Sequence, residues 1–180
     1  MVFRFVAVIF VGVLLAFRAP GQMAEEYQVK AAFLYHFAEF VEWPPEAFKT
    51  PGDPMLVCVL GRNPFGSALE EVIRGKSIDG RAFAFRLVAG AEDASTCQIL
   101  FVASSASKHF RSMRGILKPW GILTVGEVQG FAADGGVINF KLYDGRVRFE
   151  INLDAAEHQQ LHISSKLLGL AQIVKTEKIR

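Results

Sequence analysis

Met55-Leu-Val-Cys-Val-Leu60, followed by Gly61-Arg-Asn-Pro-Phe-Gly66 and by Ser67 to Arg74, reads as a strand, a turn and a short helix. An unbroken apolar run closed by glycine and proline describes a strand buried on both faces. The pattern repeats downstream. Ala82 to Val88 alternates and then runs apolar, giving a second strand. Gln98 to Ala103 is a third, with Ser104-Ser105 as a cap and Lys108 to Leu117 as the helix after it. Ile122-Leu-Thr-Val125 is a fourth. Strands alternating with helices predict an α/β fold, its mainly parallel sheet flanked by helices on both faces.

The C-terminal part changes period. Gly136-Val-Ile-Asn-Phe-Lys-Leu-Tyr143 and Arg146-Val-Arg-Phe-Glu-Ile-Asn-Leu153 alternate with period two and are joined by Asp144-Gly145. Asp-Gly between alternating strands is a strong hairpin signal, so the sheet is expected to close with a C-terminal antiparallel hairpin at its edge. Val147, Phe149 and Ile151 fall on one side of it, and Arg146, Arg148 and Glu150 on the other. Asp154 is expected to cap a helix through Gln160, and Ser164 to Ala171 to start a last one.

Upstream, Glu25 to Pro45 reads as one helix ended by Pro44 and Pro45. Tyr27, Ala31, Leu34, Ala38 and Val41 form one apolar stripe, and Phe33, Phe37 and Phe40 a second beside it. Lys30, His36, Glu39 and Glu42 are the clearly polar positions. If the first stripe packs on the sheet, Phe33, Phe37, Phe40 and Trp43 are left for a partner or dimer interface, where aromatic anchors are enriched. A homodimer is the commonest form of such an interface. The competing reading is that neighbouring loops cover these rings.

Residues 1–21 read as an export signal. Arg4 supplies a positive start, Phe5 to Phe17 are apolar apart from Gly12, and Ala19-Pro20-Gly21 offers small residues for cleavage after Gly21 or after Ala24. The apolar run is too short to span a bilayer comfortably. Its removal takes away Arg4 and Arg18, so 20 Lys+Arg fall to 18 against 18 Asp+Glu. The mature chain, residues 22–180, is formally neutral and offers no electrostatic footprint for nucleic acid. Its size suits one domain, and no low-complexity tract or internal repeat suggests a second.

An exported chain with two cysteines, Cys58 and Cys97, most simply pairs them in its oxidising compartment. Two buried thiols inside strands are the alternative, since both flank apolar runs. No Cys-x-x-Cys spacing points to redox catalysis.

Taken together, the chain resembles the YfiR family of exported bacterial proteins. The resemblance is carried by Val29-Lys-Ala-Ala-Phe-Leu-Tyr-His-Phe-Ala-Glu-Phe-Val-Glu-Trp-Pro44 and Val57-Cys-Val-Leu-Gly-Arg-Asn-Pro-Phe-Gly66. It continues in Ile122 to Gly126, Gly135 to Phe140, Arg146 to Ala156 and Ile163 to Leu168, in order along nearly the whole mature chain. The resemblance implies a single periplasmic α/β domain over residues 22–180 with a structural Cys58–Cys97 disulfide. It implies no enzymatic activity and no cofactor. The expected task is repression of an inner-membrane diguanylate cyclase through that partner's periplasmic part, which lowers cyclic-di-GMP signalling.

Other chemistry finds little support. There is no Gly-x-Ser-x-Gly elbow, and Ser164-Ser165-Lys166 lacks the Ser-x-x-Lys spacing of an acylating site. His158 and His162 have zinc-compatible spacing but no His-Glu-x-x-His motif, and a solvated helix end explains them better. His36 reads as a partly buried or interface histidine rather than a base. Gly126-Glu-Val-Gln-Gly130 and Asp134-Gly135-Gly136 match no phosphate-cradling pattern and read as turns. Ligands of open α/β sheets favour the carboxyl ends of strands, and there Arg62 and Asn63 are the candidate ligand-binding residues. The alternative function is therefore a periplasmic small-ligand-binding sensory module.

Overall fold

The computed structural model describes residues 20–118 and 120–176, so the expected export signal at 1–21 lies almost wholly outside the described residues. In chain order the elements are α1 Pro20–Glu39, β1 Val41–Glu42, β2 Met55–Leu60, α2 Ala68–Ile73, β3 Ser77–Ile78, β4 Arg81–Val88 and α3 Ala91–Ala94. They continue with β5 Ile99–Val102, α4 Ser107–Met113, β6 Leu123–Gly126, β7 Ile138–Tyr143 and β8 Arg146–Asn152. The last are α5 Leu153–His158, β9 His162–Ile163, α6 Ser165–Leu168 and β10 Gln172–Val174.

Eight strands form the main sheet in the order β10-β8-β7-β6-β5-β2-β4-β3. Pairing is parallel from β4 through β2, β5 and β6 to β7 and between β8 and β10, and antiparallel at β7–β8 and β3–β4. This is the expected α/β architecture. At the hairpin tip, Asp144 and Gly145 both take positive φ, 48° and 71°. That conformation matches the turn to the twist of its strands.

Strand periodicity sorts the core into two layers. Val57, Val59, Ile99, Phe101, Leu123 and Val125 face α1 and α2. Leu56, Cys58, Leu60, Leu100 and Val102 face the opposite way, toward Phe110 and Met113 of α4 and Ala94 of α3. The central strands are apolar throughout because both of their faces are covered.

Four local expectations are corrected. α1 ends at Glu39, before the prolines, because Val41 and Glu42 leave the helix to pair with Ile163 and His162 of β9. Asn152, not Asp154, caps α5: its Oδ1 accepts from Ala155 N at 3.1 Å. The helix after β5 keeps α geometry only to Met113 and continues as a 3₁₀ turn over Arg114–Ile116. The last helix stops at Leu168, and the chain then adds β10 outside the hairpin, parallel to β8.

Glycines 126 and 136 prove to be packing positions rather than plain turn formers. A Cβ built on Gly126 would lie 2.3 Å from the Phe131 ring, and one on Gly136 2.0 Å from it. The Phe131 ring is therefore clamped between two backbones that only glycine allows to approach so closely.

Candidate functional site

α1 lays Ala31, Leu34, Phe37 and Ala38 onto the sheet, all buried. Phe37 is the correction among the four residues expected at an interface. Its ring stacks on Phe140 at 5.7 Å and meets Phe149 edge-on at 5.2 Å. The hairpin reaches far enough along α1 to absorb it, and with 0% of its surface exposed it offers a partner nothing. Phe33, Phe40 and Trp43 remain half-buried. Trp43 is tethered, donating its indole N–H to the carbonyl oxygen of Gln98 at 3.3 Å. Gln98 in turn accepts from Leu56 N at 2.9 Å and donates to Ala47 O at 2.8 Å, so the helix exit is anchored to the foot of the sheet.

Beyond the rings, α1 exposes Met23 and Val29. Val29, Phe33 and Val147 line a groove of about 510 Å³ between the N-terminal half of α1 and the hairpin, bordered by Glu25 and Glu26 of α1 and by Arg146 and Arg148 of the hairpin. His36 is exposed, with Nδ1 2.6 Å from the Glu39 carboxylate. The hydrogen bond from His36 holds the Glu39 carboxyl below its usual range. Of the two expectations for His36, a partly buried or an interface histidine, its exposure removes the first.

The strand ends are built differently from the expectation as well. Gly61, at φ 95°, leaves β2 so close to the turn after β5 that a Cβ on it would lie 2.7 Å from Ala106 Cβ and 2.8 Å from Ser105 Oγ. The crevice between β2 and β5 is thereby plugged. Asn63 is spent on its own turn: Oδ1 accepts from Phe65 N at 2.9 Å and Nδ2 donates to Gly66 O at 3.1 Å. Arg62 is exposed, and its backbone N–H donates to Ser105 Oγ at 3.0 Å. The structure places these two residues side by side in a turn, with Asn63 committed to hydrogen bonds within it.

The charged cluster lies further along the same rim, after β5 and β6. Glu127 takes Tyr27 Oη at 3.0 Å and Lys30 Nζ at 2.8 Å on one carboxylate oxygen, and Ser104 N at 3.0 Å on the other. Lys30 also reaches Glu26 at 2.6 Å, one helical turn back. The Lys30 and Glu127 side chains are each 5% exposed. Burial, seconded by the charge and hydrogen bond of Glu127, pushes the Tyr27 phenol far above its ordinary range. A buried charge survives only when paired and hydrogen-bonded, and here the pairing ties α1 to the carboxyl ends of two strands. Lys30 was expected to be an ordinary polar position. The available signal was its place three residues after Tyr27 and four before Leu34, on the buried stripe itself.

The remaining candidates are settled by position. Cys58 of β2 and Cys97, just before β5, form a disulfide across 6.0 Å of Cα separation, buried on the face opposite α1. His158 ends α5 and His162 lies on β9 beyond Gln160, which turns the chain at φ 55°, so the two histidines do not share a helix face. Among the described residues no three His, Cys, Asp or Glu side chains are grouped to hold a metal ion.

Fold and site together define the class: an α/β protein stapled by one disulfide, whose charged cluster joins helix to sheet. The chain belongs to the YfiR/HmsC-like family, whose sequence model matches residues 27–172, from the first turns of α1 to the start of β10. No curated protein matches the chain.

Proposed function

We propose that the mature chain, residues 22–180, is a periplasmic regulatory protein without catalytic chemistry. In this reading it binds the periplasmic part of an inner-membrane diguanylate cyclase and holds that enzyme inactive. Membership of the YfiR/HmsC-like family carries this reading. The buried disulfide suits an oxidising compartment. No helix among the described residues is long and apolar enough to cross a membrane, which suits a protein that meets its partner from outside the bilayer.

Repression works by differential binding, because a ligand shifts a conformational equilibrium only by preferring one state. Moving a cyclase from almost fully active to almost fully repressed requires roughly 5.5 kcal/mol of preference for the inactive state. The groove of Val29, Phe33 and Val147 is the surface assigned to this contact, and its border of Arg146 and Arg148 on one side and Glu25 and Glu26 on the other suits a partner with an apolar anchor and charges of both signs.

A photo-crosslinking residue at Val29 of the exported protein is expected to capture a membrane protein carrying a diguanylate cyclase domain. The same probe at Ile116, exposed on the opposite face, is expected to capture none. Equal capture from both positions, or capture only of a second copy of this chain, would contradict the assignment.

A further inference from the structure

β10 covers only the last part of β8. Its register runs Gln172↔Glu150, Ile173↔Ile151 and Val174↔Asn152, and β10 ends the sheet. Arg146 to Phe149 of β8 therefore have β7 on one side and no strand among the described residues on the other. The chain ahead of β10 does not fill this gap, because it is coiled into α6 and the turn behind it. Gly169, Leu170 and Ala171 give their N–H groups to the carbonyls of Ser165, Leu167 and Leu168.

An unpaired strand edge is a template for a further strand. A hollow of about 330 Å³ lies at this notch, with Tyr143, Arg148, Phe149 and Leu170 in its lining. Tyr143 and Leu170 are 69% and 71% exposed, so both are open to an arriving side chain.

Charge selects the occupant. Arg146 and Arg148 are two apart on the strand and so share one face of it. Both are exposed, and neither side chain makes a hydrogen bond or ion pair with a described residue. Lys141, opposite Arg148, is by contrast already bound to Glu150 at 2.8 Å. The neighbouring acids are Asp144 in the hairpin turn and Glu25 and Glu26 across the groove under α1. A second copy joined through the same edge, its apolar face on the same side, would set these arginines against their symmetry mates. Like charges opposed across a ladder destabilise it. A strand with carboxylates at alternate positions would instead meet both arginines on one face and place its apolar side chains beside Val147 and Phe149 on the other. We propose that the open edge of β8 takes an additional strand from an acidic partner, an extended protein segment whose alternate carboxylates bind Arg146 and Arg148. The inference does not rest on the cyclase reading, since it concerns the main-chain edge of β8 and is read on the isolated chain.

The test is fluorescence anisotropy of the whole mature chain with a labelled peptide of alternating glutamate and valine. Its controls are the lysine–valine counterpart and the glutamate peptide with every amide N-methylated, which keeps the carboxylates but cannot donate to a strand. Only the unmethylated glutamate peptide is expected to bind saturably, and methylation is expected to weaken it at least roughly tenfold, the worth of one or two backbone hydrogen bonds. Arg148→Glu is expected to reverse the preference toward the lysine peptide, a gain that misfolding cannot imitate. A wild-type chain that ignores the glutamate peptide, or binds its methylated form equally, overturns the inference. So does an Arg148→Glu variant that still prefers glutamate. A chain that sediments as a dimer and refuses the peptide would give the edge to a second copy, and that result overturns it too.

Discussion

Phe37→Ala separates a core role from an interface role for the aromatic face of α1. The ring has no exposed surface and sits among Phe33 at 5.9 Å, Phe140 at 5.7 Å and Phe149 at 5.2 Å. Truncating a fully buried phenylalanine costs about 3–5 kcal/mol in lost transfer energy and residual cavity. Three ring partners place this site toward the upper end of that range, since aromatic pairs add about 0.5–1.5 kcal/mol beyond their buried area. For a chain of this size the loss corresponds to a melting temperature lower by roughly 10–20 °C. Equilibrium urea unfolding followed by far-UV circular dichroism measures the difference through the transition midpoint at constant slope. The half-buried Phe40, truncated in the same way, is expected to lose less than about half as much. A Phe37→Ala protein that unfolds within about 1 kcal/mol of wild type yet no longer crosslinks its partner from Val29 would refute the reasoning. The ring would then belong to the partner contact and not to the core.

Two further consequences concern the disulfide and the charged cluster. Cys58→Ser opens a loop with a sequence separation of 39, which the chain-entropy picture values at roughly 4 kcal/mol. The variant is expected to melt well below the oxidised wild type and close to the reduced one, and equal melting of all three would contradict this. Tyr27 gives a pH signature. Its folded-state pKa lies above the ordinary 10.0, so its contribution to stability is fully present below pH 10. As pH rises past 10 the unfolded chain sheds the phenolic proton before the folded chain does, and stability falls. Tyr27→Phe is expected to show a shallower loss of unfolding free energy between pH 9 and pH 11, and parallel wild-type and variant curves would exclude the effect.

The sheet was legible because its residues announce themselves locally. Met55–Leu60 and Ile99–Val102 are apolar without interruption, and the hairpin carries both period-two alternation and Asp144-Gly145. What escaped was short or distant. β1 and β9 are two residues each and exist only through their pairing, so nothing in Val41-Glu42 signals that α1 must stop. β10 has three residues, mostly exposed, and shows no alternation. The site was harder still. Gly126-Glu127 was recognisable as a loop at a strand end, but its partner Lys30 lies 97 positions away and no local rule connects them. The Arg62–Asn63 expectation followed the general preference of α/β sheets for the crevice between diverging strands. At Gly61 the structure packs Ala106 and Ser105 against that turn, a detail between loops that pattern reading does not reach. Phe37 was misplaced for a related reason: helical periodicity ranks faces but does not say how far a hairpin will reach across them.

The most direct test of the regulatory account is intracellular cyclic-di-GMP in the native bacterium after deletion of this gene. Complementation would use the exported form and, separately, a form lacking residues 1–21. The account predicts that cyclic-di-GMP rises on deletion and that only the exported form restores it. An unchanged level on deletion, or equal rescue by the unexported form, would contradict periplasmic repression of a cyclase.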